Sequence, residues 1–200
     1  MANDGTTWHF IPPRAPNFGG LWEAGIKSVK THLLRVLGNT TLTFEEMTTL
    51  LAQIEACLNS RPICELNDDP NDVAALTPSH FLIGEPLVAI PEKLQTNFNI
   101  TPLDRWKLVR KISAHFWQRW SVEYLHSLQQ RHKWNSKTKA PEKGDIVLIK
   151  EPALPPTKWL LARVLETHPG QDGEVRVVSL QAKSGLLKRP VSKLVAISSH

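Results

Sequence analysis

The chain is poor in several things that define protein classes. It has only two cysteines in 200 residues. Cys57 and Cys64 have six residues between them and no Cys or His companions at zinc-finger spacing, so neither a disulfide framework nor a zinc site is expected. Cys57 falls on the apolar side of a helical pattern, where a buried thiol is the simplest reading. Reduced thiols suit an intracellular protein. No apolar run approaches the roughly 20 residues of a membrane span, and the opening MANDGTTWHF lacks an apolar signal segment, so a membrane partner is not expected. No paired aromatic motif of the RNA-recognition kind is present, which leaves base-specific readout without support.

Hydrophobic residues make up 41% of the chain, enough to argue against disorder. At this length a folded chain buries roughly 70% of its unfolded surface as one large or two small domains. Charge is unevenly spread. Residues 1–100 carry 6 Lys and Arg against 11 Asp and Glu, residues 101–150 carry 11 against 4, and residues 151–200 carry 7 against 4. The second half is therefore the basic half, and a basic half points to phosphate.

Periodicity divides the chain in three. A helix is predicted from about Phe18 or Gly19 to Leu37, stopped by Gly38-Asn39. Thr43 and Glu46 form a capping box that opens a second helix, with Phe44, Met47, Leu50, Leu51, Ile54, Cys57 and Leu58 at helical spacing to about Asn59. From Ser60 to Thr101, prolines recur too often for long elements, with a short helix or turn at Ser79 to Ile83. His80 there is best read as a packed and satisfied side chain, and His9 as structural or exposed.

Thr101-Pro102-Leu103-Asp104 starts another helix, predicted to run to about Trp134, either straight or with a bend. Its polar side carries Arg105, Lys107, Arg110, Lys111, Arg119, Arg131 and Lys133, which suits either a linker arm or a contact to a phosphate backbone. Asn135 to Pro141 reads as a basic linker. The period then falls from 3.6 to 2 over Asp145–Lys150, Trp159–Leu165, Val175–Leu180 and Leu186–Pro190, with a short last strand at Leu194–Ile197. Five short strands in about 55 residues predict a small basic β-barrel of the SH3-like kind. Arg163, Arg176, Lys183, Lys188, Arg189 and Lys193 lie on or beside its strands, and Trp159 is read as core in preference to a stacking platform.

One stretch is chemically pointed: PPRAPNFGGLWEAGIKSVK, from Pro12 to Lys30. At 100° per residue, Glu23, Lys27 and Lys30 fall within about 60° of one another, beside Ile26, Val29, Leu33 and Val36 on the adjoining arc. On geometry alone a Glu four residues before a Lys is most simply an exposed pair. The wording adds more. Pro16-Asn17-Phe18-Gly19-Gly20-Leu21-Trp22-Glu23 resembles the segment that carries the third acid of DDE integrases, and the whole stretch is similar to the integrase of Pao/BEL-type LTR retrotransposons. The resemblance continues in order through LNSRP (Leu58 to Pro62), LTPSHFLIG (Leu76 to Gly84), FWQRWSVEYL (Phe116 to Leu125), KGDIVLIKE (Lys143 to Glu151) and RPVSKL (Arg189 to Leu194).

That resemblance implies an α+β organisation. Residues 1–100 would be the helical tail of an RNase H-like integrase core, 101–135 a long helical connector, and 136–200 the SH3-like barrel. It implies a role in DNA integration by polynucleotidyl transfer, in the nucleus, with the intact enzyme acting as a homo-oligomer. Glu23 would be the catalytic and metal-binding carboxylate, with Mg²⁺ or Mn²⁺ as the ion in the intact enzyme. DNA would be held by Lys27, Lys30, Arg110, Lys111, Arg119, Arg131, Lys133, Arg163, Arg176, Lys188 and Arg189, mainly through phosphates. Two Asp residues should precede Glu23, yet the one acid upstream is Asp4, too near in sequence for that part. The expectation is therefore a fragment that is inactive alone and binds no metal tightly. The competing reading is a nucleic-acid-binding or interaction module with no catalytic role.

Overall fold

A computed structural model describes residues 10, 12–66, 72–87, 104–129, 140–151 and 154–197. Pro16–Gly19 form a single 3-10 turn that feeds directly into helix α1, Gly20–Leu37. Gly38 closes that helix at a φ of +52°, and its N–H donates to the Leu34 carbonyl. Helix α2, Phe44–Asn59, begins with both halves of the expected capping box: the Glu46 N–H donates to Thr43 Oγ1, and the Thr43 N–H donates to Glu46 Oε2.

A two-residue strand pair follows, β1 at Cys64–Glu65 and β2 at Ala75–Leu76, and then the short helix α3, Pro78–Ile83. His80 serves the start of α3, its Nδ1 accepting the Thr77 N–H at 3.0 Å, so it is a satisfied side chain. Helix α4 spans Asp104–Leu128. The sequence pattern extends it to Trp134, but Gln129 already bends away, and positions 130–139 lie outside the described residues. Arg131 and Lys133 fall there.

Strand β3 is Ile146–Ile149, β4 Leu161–Pro169, β5 Val175–Ala182, β6 Gly185–Pro190 and β7 Leu194–Ala196. They form one antiparallel sheet in the order β6-β5-β4-β3-β7. The α+β expectation holds, with helices in the first half and the sheet at the end. The barrel does not: β7 pairs with β3, and no ladder joins it to β6, so the sheet is not closed. Alternation along the strands predicts a sheet with a buried face. It says nothing about whether the two edges meet.

Two faces of β3 bury against different things. Val147 and Ile149 join Ala162, Val164, Val178, Leu180, Ala182 and Leu194 in the sheet's own core. Ile146 and Leu148 join Val195, Ile197 and Ala75, with Leu125, Leu128 and Trp159 packed on them. The four buried residues in a row explain why β3 reads as a continuous apolar run.

The helical core lies between α1, α2 and α4: Leu50, Ile54, Cys57, Val109, Ile112, Phe116, Trp117 and Trp120. Trp159 touches both cores. Its indole stands edge-on to Trp117 at 4.8 Å between ring centres and its N–H donates to Ser60 Oγ at 3.2 Å. Trp159 is thus core, as expected, but the core of the helix–sheet junction. Tyr124 donates its hydroxyl to the Pro62 carbonyl, and Trp117 donates to the Leu154 carbonyl at 2.9 Å. The polar tips of Trp117, Tyr124 and Trp159 are each hydrogen-bonded, which is what lets these rings be buried.

Candidate nucleic-acid interface

Glu23 sits exposed in the first turn of α1, where a carboxylate also suits the helix dipole. Lys27 and Lys30 are exposed one and two turns on, so the structure keeps the three on one open edge of the helix. Among the described residues no group of three or more His, Cys, Asp or Glu side chains is placed to hold a metal ion. Mg²⁺ needs several carboxylate or water oxygens in near-octahedral array, and a two-metal reaction needs more than one acid. A lone Glu23 carboxylate does not meet that requirement.

The cations of α4 divide into two groups. Arg105 is committed: its guanidinium grips both carboxylate oxygens of Glu46, with Nε to Oε1 at 2.6 Å, and a further N–H reaches the Thr41 carbonyl. That grip, with the Thr43 N–H, holds the Glu46 carboxyl below the usual range. Lys107 and Arg110 are half-buried and engaged. Lys111 and Arg119 are different. Both are exposed and neither makes an ion pair among the described residues, and exposed His115 lies between them at the four-residue spacing that places all three in one row.

The row runs on to Glu123, whose charge is already used. Ser28 of α1 donates to Glu123 Oε1 at 2.8 Å, and His32 Nε2 meets Oε2 at 2.8 Å. The Ser28 hydroxyl first, and His32 after it, hold the Glu123 carboxyl low. His32 is buried at 4% exposure against the edge of Phe116, and its Nδ1 finds no partner among the described residues. An open cleft beside this contact is lined by His32, Gln118, Arg119, Val122, Glu123, His126 and Ser127. Sequence reasoning missed this group, because Ser28, His32 and Glu123 stand on helices more than ninety positions apart.

On the sheet, the expected DNA-binding residues differ in how free they are. Arg163 is half-buried, donating Nη1 to the Gly144 carbonyl at 2.8 Å and Nη2 to the Asp72 carbonyl at 3.1 Å, so it ties the β2 approach to the β3–β4 hairpin. Arg176 is exposed but bidentate to Asp172 across the β4–β5 turn. That guanidinium, with the Glu174 N–H, brings the Asp172 carboxyl down to about 2. Lys188 is exposed on β6, and Arg189 beside it bonds the Lys188 carbonyl at 3.2 Å. Lys183 is also exposed.

The buried thiol of Cys57 is pushed up to about 12 by burial, so it is neither nucleophile nor ligand. Nor do the aromatics make a cage for a cation: Trp117, Trp120, Tyr124 and Trp159 pack directly on one another at ring-centre distances of 4.8 to 6.1 Å. No helix among the described residues is long and apolar enough to cross a membrane.

No curated protein is significantly similar to the chain. Among solved structures, a chain of the crystal structure of the MjSpt4:Spt5 complex, conformation B, is similar at 23% identity over 40% of this chain and 50% of that one. The TM-score is 0.22, too low to establish a common fold, and this chain spans about half the length of that neighbour. Residues 104–197, which take in α4 and the whole five-strand sheet, match the model of a family of unknown function (DUF5641).

Proposed function

We propose that this chain is a DNA-binding part of an integrase of the Pao/BEL retroelement type, gripping duplex DNA by its phosphates and unable to cut or join strands by itself. The observation that carries the reading is the row on the open side of α4 in which Lys111 and Arg119 flank His115: two exposed cations with no ion pair among the described residues, on a helix whose other exposed Lys or Arg, Arg105, has been given a carboxylate. Unneutralised cations spaced along one rigid element are what a phosphate backbone recognises, without regard to base sequence. Lys27 and Lys30 on α1 and Lys188 on β6 supply further exposed charge with no ion pair among the described residues. The integrase part of the proposal rests on the ordered motif resemblance, and the exposure of Glu23 is compatible with it. In that setting the remaining carboxylates, the Mg²⁺ or Mn²⁺ they would hold, the nuclear location and assembly into a homo-oligomer would accompany the complete enzyme.

A second reading, an interaction module in which α1 is only packing, is favoured by the Ser28–Glu123–His32 contact, which makes α1 a structural partner of α4. Two measurements separate and test them. The 200-residue chain should bind labelled duplex DNA with an affinity that falls steeply between about 50 and about 300 mM salt. Equal affinity at both would sink the phosphate mode. With Mn²⁺ and a labelled DNA end the chain should leave the end intact; cleavage that disappears in Glu23→Gln would overturn its inactivity.

A further inference from the structure

The ladder between β3 and β7 ends at Ile149 opposite Leu194. One step further, the Lys150 N–H donates to the Lys193 carbonyl at 2.8 Å, so two lysines face each other where the strands part. Lys150 follows Leu148 by two positions, and Lys193 precedes Val195 by two. Leu148 lies on the sheet face that meets the helical layer, so alternation directs Lys150 toward that face, beyond its covered part, while Lys193 ends the 3-10 turn Val191–Lys193 that leads into β7. Lys150 is half-buried and Lys193 exposed.

Like charges directly opposite one another across a strand pair are destabilising, and a partly buried ammonium is costly unless something pairs with it. Here nothing does. Neither ammonium has a carboxylate partner among the described residues. Burial first, and the neighbouring Lys193 charge second, both push the Lys150 ammonium below its usual pKa. Contrast Arg105 and Arg176, whose charges the same fold has matched with Glu46 and Asp172. Fold stability alone would favour a carboxylate or an apolar residue at one of the two positions. An anion drawn between the two ammoniums removes the repulsion and supplies the missing partner.

We propose that Lys150 and Lys193 together form a binding site for one phosphate oxyanion, seated at the open end of the β3–β7 strand pair. The same chemistry is met by a phosphodiester of a nucleic-acid backbone or by free phosphate. The first source rests on the DNA reading above and would add an anchor on the sheet, away from the row on α4. Two tetrahedral oxygens can each accept from one ammonium, which explains why compact point charges serve here in place of a forked guanidinium.

The test uses the full chain and the variants Lys193→Gln and Lys150→Gln/Lys193→Gln. Thermal unfolding is followed while inorganic phosphate is raised against chloride at matched ionic strength, and duplex DNA binding is followed against salt. Phosphate should raise the Tm of the parent chain more than chloride does, and the double variant should lose that difference. In chloride alone Lys193→Gln should melt no lower than the parent, because a repulsion has gone. With DNA, the double variant should weaken binding alike for all sequences and lower the slope of log affinity on log salt by about 1. A change in the DNA arm alone identifies the backbone as the source, and a change in the phosphate arm alone identifies the free anion. If the parent binds no DNA but the phosphate effect vanishes in the double variant, the DNA reading falls and the oxyanion site stands. If the parent binds DNA and neither arm responds to the substitutions, the site is refuted and the DNA reading survives.

Discussion

The Ser28 hydroxyl of α1 donates to the Glu123 carboxylate of α4 at 2.8 Å, although 95 positions separate them in the chain. His32 takes the second oxygen of the same carboxylate from the buried side. One exposed acid therefore joins two helices, and its removal should be felt in both. Glu123→Ala strips the partner from a buried imidazole and should lower stability by about 1 kcal/mol, a value already reduced for the carboxylate's exposure. That corresponds to a fall of about 2 to 4 °C in Tm. Because the folded carboxyl is held low, its stabilisation is complete above the ordinary Glu range and fades as the pH falls through the folded value. An acid-induced loss of Tm that is the same size in Glu123→Gln would show that the contact carries no linkage.

Trp159 offers a test of how the two cores communicate. It packs on Trp117, Trp120 and Tyr124 on one side and on the β3 and β7 residues on the other. Trp159→Phe keeps a ring and loses the bond to Ser60, for about 1 kcal/mol. Trp159→Ala should cost more, about 2 to 4 kcal/mol, since the ring is only partly buried. If the junction makes helices and sheet one cooperative unit, near- and far-ultraviolet melting curves coincide in the parent chain. In Trp159→Ala they should separate, the sheet and helices melting apart.

Much of this architecture is legible in the sequence because it is local. The capping box at Thr43 and Glu46, the apolar spacing of α2 and the period-2 strands depend on residues within a few positions of each other, and the structure shows them where the spacing puts them. Cys57 and His80 likewise fall where their neighbours in sequence imply. What could not be read is anything set by long-range pairing. Whether β6 meets β7, which helix receives Glu123, and which arginines are already taken by Glu46, Asp72 or Asp172 all depend on chain closure. Arg163 shows the cost: as a strand cation it reads as a DNA contact, and the fold spends it on the Gly144 and Asp72 carbonyls.

The thiols should behave oppositely. Cys57 is buried with its pKa raised to about 12, whereas Cys64 is half-buried near the sheet. A thiol reagent at about pH 8 should label Cys64 in the folded chain and reach Cys57 only as the chain unfolds. Burial also raises the Tyr124 hydroxyl to about 12. Both groups are raised in the fold, so their stabilisation is complete below about 9 to 10 and is lost as pH climbs from there to about 12. Fast labelling of both thiols in the native state would contradict the packing of α2 on α4.

Asp172 and Arg176 link stability to function at the β4–β5 turn. The carboxyl is lowered to about 2 by the guanidinium, so the pair is intact above the ordinary Asp value near 3.8 and opens as the pH drops toward 2. Both side chains are largely exposed, and the stabilisation from the pair is accordingly small. Its effect on charge is larger. At neutral pH Asp172 occupies two of the donors with which Arg176 would meet a phosphate. Asp172→Asn removes that competitor and one negative charge, and it should tighten duplex DNA binding and steepen its salt dependence by up to about 1 in the log–log slope, with little change in Tm. Arg176→Gln should leave binding nearly unchanged in the parent chain yet abolish the gain in the Asp172→Asn background. If the two substitutions act additively on DNA affinity, Arg176 is not being withheld by Asp172, and the β4–β5 turn takes no part in phosphate contact.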